Sequence, residues 1–359
     1  MRVLALDSGS SSLKYALYEM PQERLISHGA LERSGDEQVE ALDGLIKSIA
    51  TDAAIDAVGH RIVLGAPDHS ADEVITDALV SALADLVMLE PLHLPAQLAL
   101  VRRARASLPS AKHVACFDTG FFADMPAVAR RYPLPASLGP ALRRYGYHGI
   151  SYEYVVSMGL ARGRAIIAHL GSGASMTALR DGAPLDTTMG FSPLGGLMMG
   201  TRPGDLDPGV VLYLLRSGSS PGVEALTTLL NERSGLKGVS ESSSDVRELL
   251  SRYFVDDKAK SAIDMFVYIA VKHAGALAAV CGGLDTLVFT GGIGERAAPI
   301  RAAICAGLAH LGVEIDETLN VRSADRISPE HSKVDVCVVP ANEAVVIARH
   351  THALLDRSR

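Results

Sequence analysis

Two segments of this 359-residue chain repeat one pattern: RVLALDSGSSSLKYAL (2–17) aligns without gaps on RAIIAHLGSGASMTAL (164–179). The copies share the opening Arg, a Gly-Ser pair and the closing Ala-Leu. Each reads as an apolar strand, a small-residue turn and a second strand. If the echo is a duplication, the chain folds as two halves built alike. Coincidence between two glycine turns is the other reading, because identity outside the turn is thin.

The rest of the chain suits α/β architecture, since Val-, Ile- and Leu-rich runs alternate with helix-length amphipathic stretches. Strands are expected at 3–6, 165–170, 286–289 and 336–340. Helices are expected near 76–89, 95–106, 208–216, 222–231, 245–251, 258–280 and 297–311. Tyr132–Pro140, Ser217–Gly222 and Ser240–Ser244 read as loops. With 34 Lys+Arg against 41 Asp+Glu the net charge is −7, so no global basic field draws in nucleic acid or an anionic membrane. The four cysteines, at 116, 281, 305 and 337, show neither CxxC spacing nor disulfide-framework density, which suits a reducing cytoplasm. The N-terminus is too short in apolar residues for a signal peptide, and the apolar run Ala262–Val280 carries Asp264, Lys272 and His273, which favours a buried helix over a membrane span.

Several segments carry candidate chemistry. In Asp7–Lys14, small residues after a strand let backbone N–H groups approach a phosphate, the Ser10 and Ser12 hydroxyls add donors, and Lys14 adds positive charge. The GK[ST] ending of a P-loop is missing. His169-Leu-Gly171-Ser172-Gly173 repeats the arrangement without the lysine. Gly292-Ile293-Gly294-Glu295-Arg296-Ala297 matches a dinucleotide GxGxxA, with Glu314 and Asp316 further on, so an NAD-dependent oxidoreductase competes. Against it, the motif falls outside the first strand–helix unit and too little chain follows. Arg61 and Arg202 stand in glycine-flanked settings suited to a carboxylate or phosphate, or to an ion pair with a neighbour such as Asp205 or Asp207. Asp118 follows the apolar run His113–Phe117 at a strand end, and His148 is bracketed by glycines. An acid, an imidazole, two guanidiniums and two phosphate cradles together suggest phosphoryl transfer; no HExxH or GxSxG supports a zinc or serine hydrolase.

Taken in order, VLALDSGSSSLKY, GHRIV, EPLHLP, FDTGFF, YGYHGIS, HLGSGAS, MGFSPLGGLMMGTRPGDLDP, SSSDVRE, FTGGIGER and ANEA resemble the acetate kinase family of acetate/propionate kinases, in the actin/Hsp70/sugar-kinase superfamily. The resemblance implies an α/β fold of duplicated βββαβαβα units around a nucleotide cleft, with 1–120 plus 344–359 as one domain and 121–343 as the other. It implies reversible ATP-dependent phosphorylation of acetate or propionate to the acyl phosphate, with Mg²⁺, in a cytoplasmic homodimer that binds neither nucleic acid nor membrane. Asp7 and Glu343 would hold the metal, and Lys14 the nucleotide phosphates. His169–Gly173, Asp245-Val246-Arg247 and Gly292–Arg296 would complete the nucleotide site. Arg61 would hold the carboxylate, His148 and Arg202 the transferring phosphoryl group, and Asp118 would be the catalytic acidic residue. Val63, Leu92, Tyr147 and Pro193 would wall the acid's alkyl group, with acetate first, propionate close behind and butyrate poor.

The chain departs from the family at several of these positions. Asp7, Ser172 and Arg296 stand where Asn is usual, Tyr147 where Phe is usual and Gly195 where Glu is usual. An inward-pointing Tyr147 hydroxyl would shorten the acid pocket, and its removal would then favour propionate. The Asn replacements leave open a second reading, a nucleotide-binding regulatory or scaffold relative without catalysis. A carboxylate is already ionised at neutral pH and needs no general base, which suits Asp118 to orienting a neighbour.

Overall fold

The computed structural model describes residues 1–9, 12–32, 36–50, 54–65, 67–218 and 222–357. They pack as two compact units: Met1–Ala123 with His148–Tyr154 and Asn342–Arg359, and Asp124–Tyr147 with Val155–Ala341. Ser10 lies outside the described residues, as does the middle of the Ser217–Gly222 loop.

The first unit is built on a six-stranded sheet of β1 (Arg2–Ser8), β2 (Leu13–Glu19), β3 (Arg24–Leu31), β4 (Ala57–Ile62), β5 (Glu73–Val74) and β6 (Lys112–Phe117), in the order β3-β2-β1-β4-β6-β5. β1, β2 and β3 form an antiparallel meander, whereas β1, β4 and β6 run parallel. Alternation along β1 sorts its side chains: Leu4 and Leu6 join Leu42, Leu45 and Leu100 on one face, while Val3 and Ala5 join Cys116, Val345 and Ile347 on the other. Thus the helices Asp36–Ala50 and Leu94–Ser107 cover one side and the C-terminal helix Glu343–Asp356 covers the other. A central strand buried on both faces needs the near-continuous apolar run that β1 has.

The second unit repeats the plan with β7 (Arg164–Leu170), β8 (Ala174–Arg180), β9 (Ala183–Thr187), β10 (Thr286–Thr290) and β11 (Asp335–Val338), in the order β11-β10-β7-β8-β9. Again three strands form a meander, and the first of them, β7, pairs in parallel with β10, which pairs in parallel with β11. The echo between 2–17 and 164–179 is therefore the first hairpin of each half of a duplicated fold. The mixed sheets also remove the oxidoreductase reading, because the dinucleotide fold needs an open, mostly parallel sheet. Gly291–Arg296 is instead a short helix after β10. The run 262–280 lies in the helix Asp257–Cys281, which is long and apolar enough to cross a membrane but buries a stripe including Ala262, Phe266, Ala270 and Leu277 in the core of this unit.

Whereas β2 and β8 are the second strands of the two echoed segments, β3 and β9 were not anticipated as separate strands, nor was the helix at Glu343–Asp356 from the periodicity. It sits close to β4 at Gly59, where an added Cβ would come within 2.6 Å of Ile347 Cγ2 and closer still to Thr351 Oγ1. Gly59→Ala is expected to destabilise the protein by about 1–3 kcal/mol through overpacking, read from urea unfolding.

Beside Gly59, two imidazoles meet inside the sheet. His60 Nε2 lies 3.0 Å from His113 Nδ1, and His113 Nε2 lies 3.2 Å from the Leu108 carbonyl oxygen. If His113 donates to that carbonyl, its Nδ1 accepts from His60, and His60 Nδ1, which is buried without a partner, carries only a lone pair. Burial lowers both pKa values, that of His60 strongly, with the His113 charge adding to it. Both rings are thus neutral when folded, and the unfolded chain binds protons more readily once the pH drops below about 6.5. The contribution of this pair should be fully present above that pH and be lost as the pH falls, so the change in stability from about pH 6.5 to 5 should be less destabilising in His60→Leu than in the parent, measured by urea unfolding across that range.

Candidate active site

The carboxyl ends of the parallel strands β1, β4 and β6 place Asp7, Arg61 and Asp118 side by side, where ligands collect in α/β sheets. Arg61 Nη1 donates to Asp7 Oδ1 at 2.8 Å and Nη2 donates to Asp118 Oδ2 at 2.6 Å. Asp118 also accepts from the backbone N–H groups of His148 at 3.1 Å and Ile150 at 3.3 Å, so its carboxylate fixes both the guanidinium and the start of the helix at Gly149. Gly149 is needed there, because a Cβ would meet Asp118 O and come within 2.7 Å of Phe121 Cβ. His148 takes φ +62°, a conformation that costs a non-glycine residue energy and that tertiary contacts must hold.

Two further charges join this group. The β1–β2 register sets Lys14 opposite Asp7, and Lys14 Nζ lies 3.8 Å from Glu343 Oε2 at the first turn of the C-terminal helix. Asp7, Asp118 and Glu343 are all buried, whereas the Lys14 side chain is 58% exposed. Burial by itself would raise the Asp7 pKa, but the charges of Arg61 and Lys14 bring it below the usual carboxylate range. Glu343 goes the other way: burial and the Asp7 charge push it up to about 8. Burial opposes the Arg61 charge, yet Asp118, Asp7 and Glu343 hold its pKa well above normal. At neutral pH the Glu343 carboxyl therefore keeps its proton while Asp7 and Asp118 balance Arg61 and Lys14, and a divalent cation held by Asp7 and Glu343 would take the place of that proton among hard oxygen donors. Arg61 Nε is buried without a partner and remains available to an oxygen ligand.

Sequence reasoning missed the two glutamines that hold the first turn. Gln38 accepts from Ser8 Oγ at 2.7 Å and donates to Gly9 O at 3.1 Å. Gln97 donates to Ser8 O at 3.1 Å and accepts from Val63 N at 3.0 Å, tying the β1 turn to the segment after β4. A buried polar residue on the apolar face of Leu94–Ser107 is the one signal that would have found Gln97. Ser12 closes the turn through its carbonyl oxygen, which accepts from Gly9 N at 2.9 Å. Val63 is buried, and Leu92 is 38% exposed.

In the second unit, Gly171 N donates to Gly173 O at 3.0 Å and Gly200 N to Ser172 O at 3.1 Å, which shapes the turn after His169 between β7 and β8. Asp245 caps the helix Val246–Ser251 through Arg247 N and pairs with the Arg247 side chain at 2.6 Å. Glu295 Oε1 accepts from Ala341 N at 2.8 Å, and the fully buried Arg301 donates to the carbonyls of Gly294 and Glu295. Gly292 and Arg296 are exposed, and Ile293 is half-buried. Arg202 Nη1 donates to Pro193 O at 2.8 Å, while Asp205 accepts from Gly196 N and Asp207 caps the helix Pro208–Ser217. The Tyr147 hydroxyl donates to Phe191 O at 3.0 Å. Its oxygen is held by a backbone carbonyl, which removes the premise that it is a spare donor in an acid pocket.

Two mixed sheets of one strand order define the class: this is a duplicated α/β fold of the actin/Hsp70/sugar-kinase type, with charged residues gathered at the strand ends of its first half. The model of the Acetokinase family matches residues 27–349, and the chain belongs to that family. It is 39% identical to acetate kinase 1 of Lactococcus lactis, over 98% of this chain and 99% of the relative. A crystal structure of Porphyromonas gingivalis acetate kinase superposes with a TM-score of 0.87 at 35% identity, covering 99% of both chains. That of a propionate kinase from Francisella tularensis gives 0.89 at 33%, covering 98% of this chain and 99% of the other.

Removing the guanidinium that joins two buried carboxylates should be costly. Arg61→Gln is expected to lose about 3–5 kcal/mol in urea unfolding at neutral pH, where Asp7 and Asp118 are left uncompensated.

Proposed function

We propose that this chain transfers the γ-phosphoryl group of ATP to a short-chain carboxylate, acetate or propionate, and runs the reverse reaction from acyl phosphate and ADP. The observation that carries the reading is Arg61, locked between Asp7 and Asp118 in a chain that matches acetate and propionate kinases from end to end. A carboxylate oxygen attacks the γ-phosphorus, the bond to the ADP oxygen breaks, and no proton has to be removed from the nucleophile. Catalysis then rests on positioning and charge neutralisation.

In this reading Arg61 receives the carboxylate, with Nε and the outer guanidinium edge facing it. Asp118 is a positioning residue, since its oxygens are committed to Arg61 and to two backbone N–H groups. His148 and Arg202 serve the transferring phosphoryl group. Lys14, Ser12 and the β1 turn, with Ser10 beyond the described residues, meet phosphate. His169, Gly171, Ser172 and Gly173, Asp245, Val246 and Arg247, and Gly292 to Arg296 serve the nucleotide. Asp7 and Glu343 would hold Mg²⁺, which screens the phosphate charge when bound. The proton affinity of Glu343 expresses the same demand for positive charge. Val63, Leu92, Tyr147 and Pro193 supply the apolar wall. The enzyme works in the cytoplasm as a homodimer; support for self-association comes from the helix Pro208–Ser217, which buries none of its residues yet exposes Val210, Leu212, Tyr213 and Leu215.

A hydroxamate assay with ATP, Mg²⁺ and acetate, propionate or butyrate tests the reading. Acetate and propionate should both react and butyrate poorly, because one methylene changes discrimination by only ~1–3 kcal/mol in such a wall. Arg202→Ala should lower kcat by ~10³ or more. Tyr147→Phe should leave the acetate-to-propionate ratio of kcat/KM unchanged, its hydroxyl being held by Phe191. Folded protein that binds ATP but phosphorylates none of the three acids would instead establish the non-catalytic relative.

A further inference from the structure

On the face of the first sheet covered by the C-terminal helix, three side chains from distant parts of the chain converge. The Cys116 sulfur on β6, a ring nitrogen of His350 on the C-terminal helix and a carboxylate oxygen of Asp72, just before β5, all lie within 4.8 Å of one another. Among the described residues this is the one group of His, Cys, Asp and Glu side chains so arranged. His350 Nδ1 is 3.0 Å from Asp72 Oδ1, and Nε2 is 2.6 Å from Glu153 Oε1. One ring nitrogen therefore faces Asp72, while a carboxylate grips the other from outside.

We propose that Cys116, His350 and Asp72 bind a Zn²⁺ ion, with Glu153 as the outer partner that orients the imidazole. A thiolate, an imidazole nitrogen and a carboxylate are a donor set that suits zinc, and a water molecule completes the tetrahedron. A carboxylate on the far side of the ring is the usual support of a metal-bound histidine, fixing its tautomer and raising its basicity. Tetrahedral zinc with such ligands has donor-to-donor edges of about 3.3–3.8 Å, so closure takes a movement of about 1 Å. His350 and Asp72, whose side chains are 22% and 27% exposed, can supply it, and they leave the ion a route from solvent.

Without metal, burial alone would lower the His350 pKa, but hydrogen bonds to Asp72, Cys116 and Glu153 push it up to about 12, so a proton competes with the ion for the ring and metal binding strengthens as the pH rises. Besides His350, the Cys116 thiol has Ile347 O at 3.8 Å and Thr351 Oγ1 at 3.9 Å, and burial raises its pKa. On binding, Zn²⁺ displaces the thiol proton and the imidazolium proton to solvent and is left with a thiolate, a neutral imidazole and a carboxylate. The ion would tie β6 to the C-terminal helix, about 10 Å along that helix from Glu343.

The test uses the full-length chain stripped with a chelator and titrated with Co²⁺, then Zn²⁺. A near-ultraviolet thiolate-to-cobalt charge-transfer band that saturates at one equivalent and is bleached by Zn²⁺ is expected. Cys116→Ser should lose the band while retaining its far-ultraviolet circular dichroism, and Zn²⁺ should raise the Tm of the parent but not of this variant. By competition with a chromophoric chelator, Glu153→Gln should weaken Zn²⁺ binding about 10–100-fold. Asp72→Asn, at a partly exposed position, should weaken it too and does not depend on Cys116→Ser folding. No charge-transfer band in the parent, or a band that survives Cys116→Ser and so reports Cys281, Cys305 or Cys337, overturns the proposal.

Discussion

The guanidinium of Arg61 is the joint on which the first half of this protein turns. It sits at the end of β4 and reaches one strand in either direction, to Asp7 at the end of β1 and to Asp118 just past β6. Charges taken out of water are tolerated only when paired in good geometry, so a slip of any of the three strands would leave an uncompensated charge inside the molecule. Both oxygens of Asp118 are committed, Oδ2 to Arg61 and the backbone N–H of His148, and Oδ1 to the backbone N–H of Ile150. Asp118, which the family resemblance makes the catalytic acidic residue and its strand-end position marks as near a ligand, is in the folded chain the anchor of an arginine and of a helix start.

The C-terminal helix completes what the strands begin. It returns the last residues of the chain to the first sheet, where Val345 and Ile347 pack beside Val3 and Ala5. Packing of that apolar stripe is what carries Glu343 to Lys14 and Asp7, and two turns later His350 to Asp72, Cys116 and Glu153. One buried face thus delivers two separate polar clusters. Gly59 is the condition for it, since only a residue without a side chain lets the helix lie so near β4.

Much of this was legible in the sequence. The apolar run of β1, its small-residue turn and Lys14 are local features, and the copy of the run and turn at 164–179 announced a second sheet of the same kind. Asp118 and Arg61 were recognisable because apolar strand residues precede them, and the long helix Asp257–Cys281 because its apolar residues recur at helical spacing. The Gly-rich stretch at 292–297 shows the limit of such reading. Its residues match a dinucleotide fingerprint, yet the sheet that the fingerprint requires is not the one the chain forms.

What the sequence determined by itself are the properties set within a few residues: strand and helix periods, turn chemistry, the duplication, and the residue types that an acyl-phosphate-forming kinase would need. Only the tertiary structure decided which charges face each other. Gln97 on Ser8, Glu343 beside Asp7, the unpartnered lone pair of His60 and the Tyr147 hydroxyl on Phe191 all join residues far apart in the chain or buried by neighbours from other elements. The reason is physical: a side chain's period is written in its own segment, whereas its charge state and hydrogen-bond partner depend on which strand lies next to it and on how completely water has been removed.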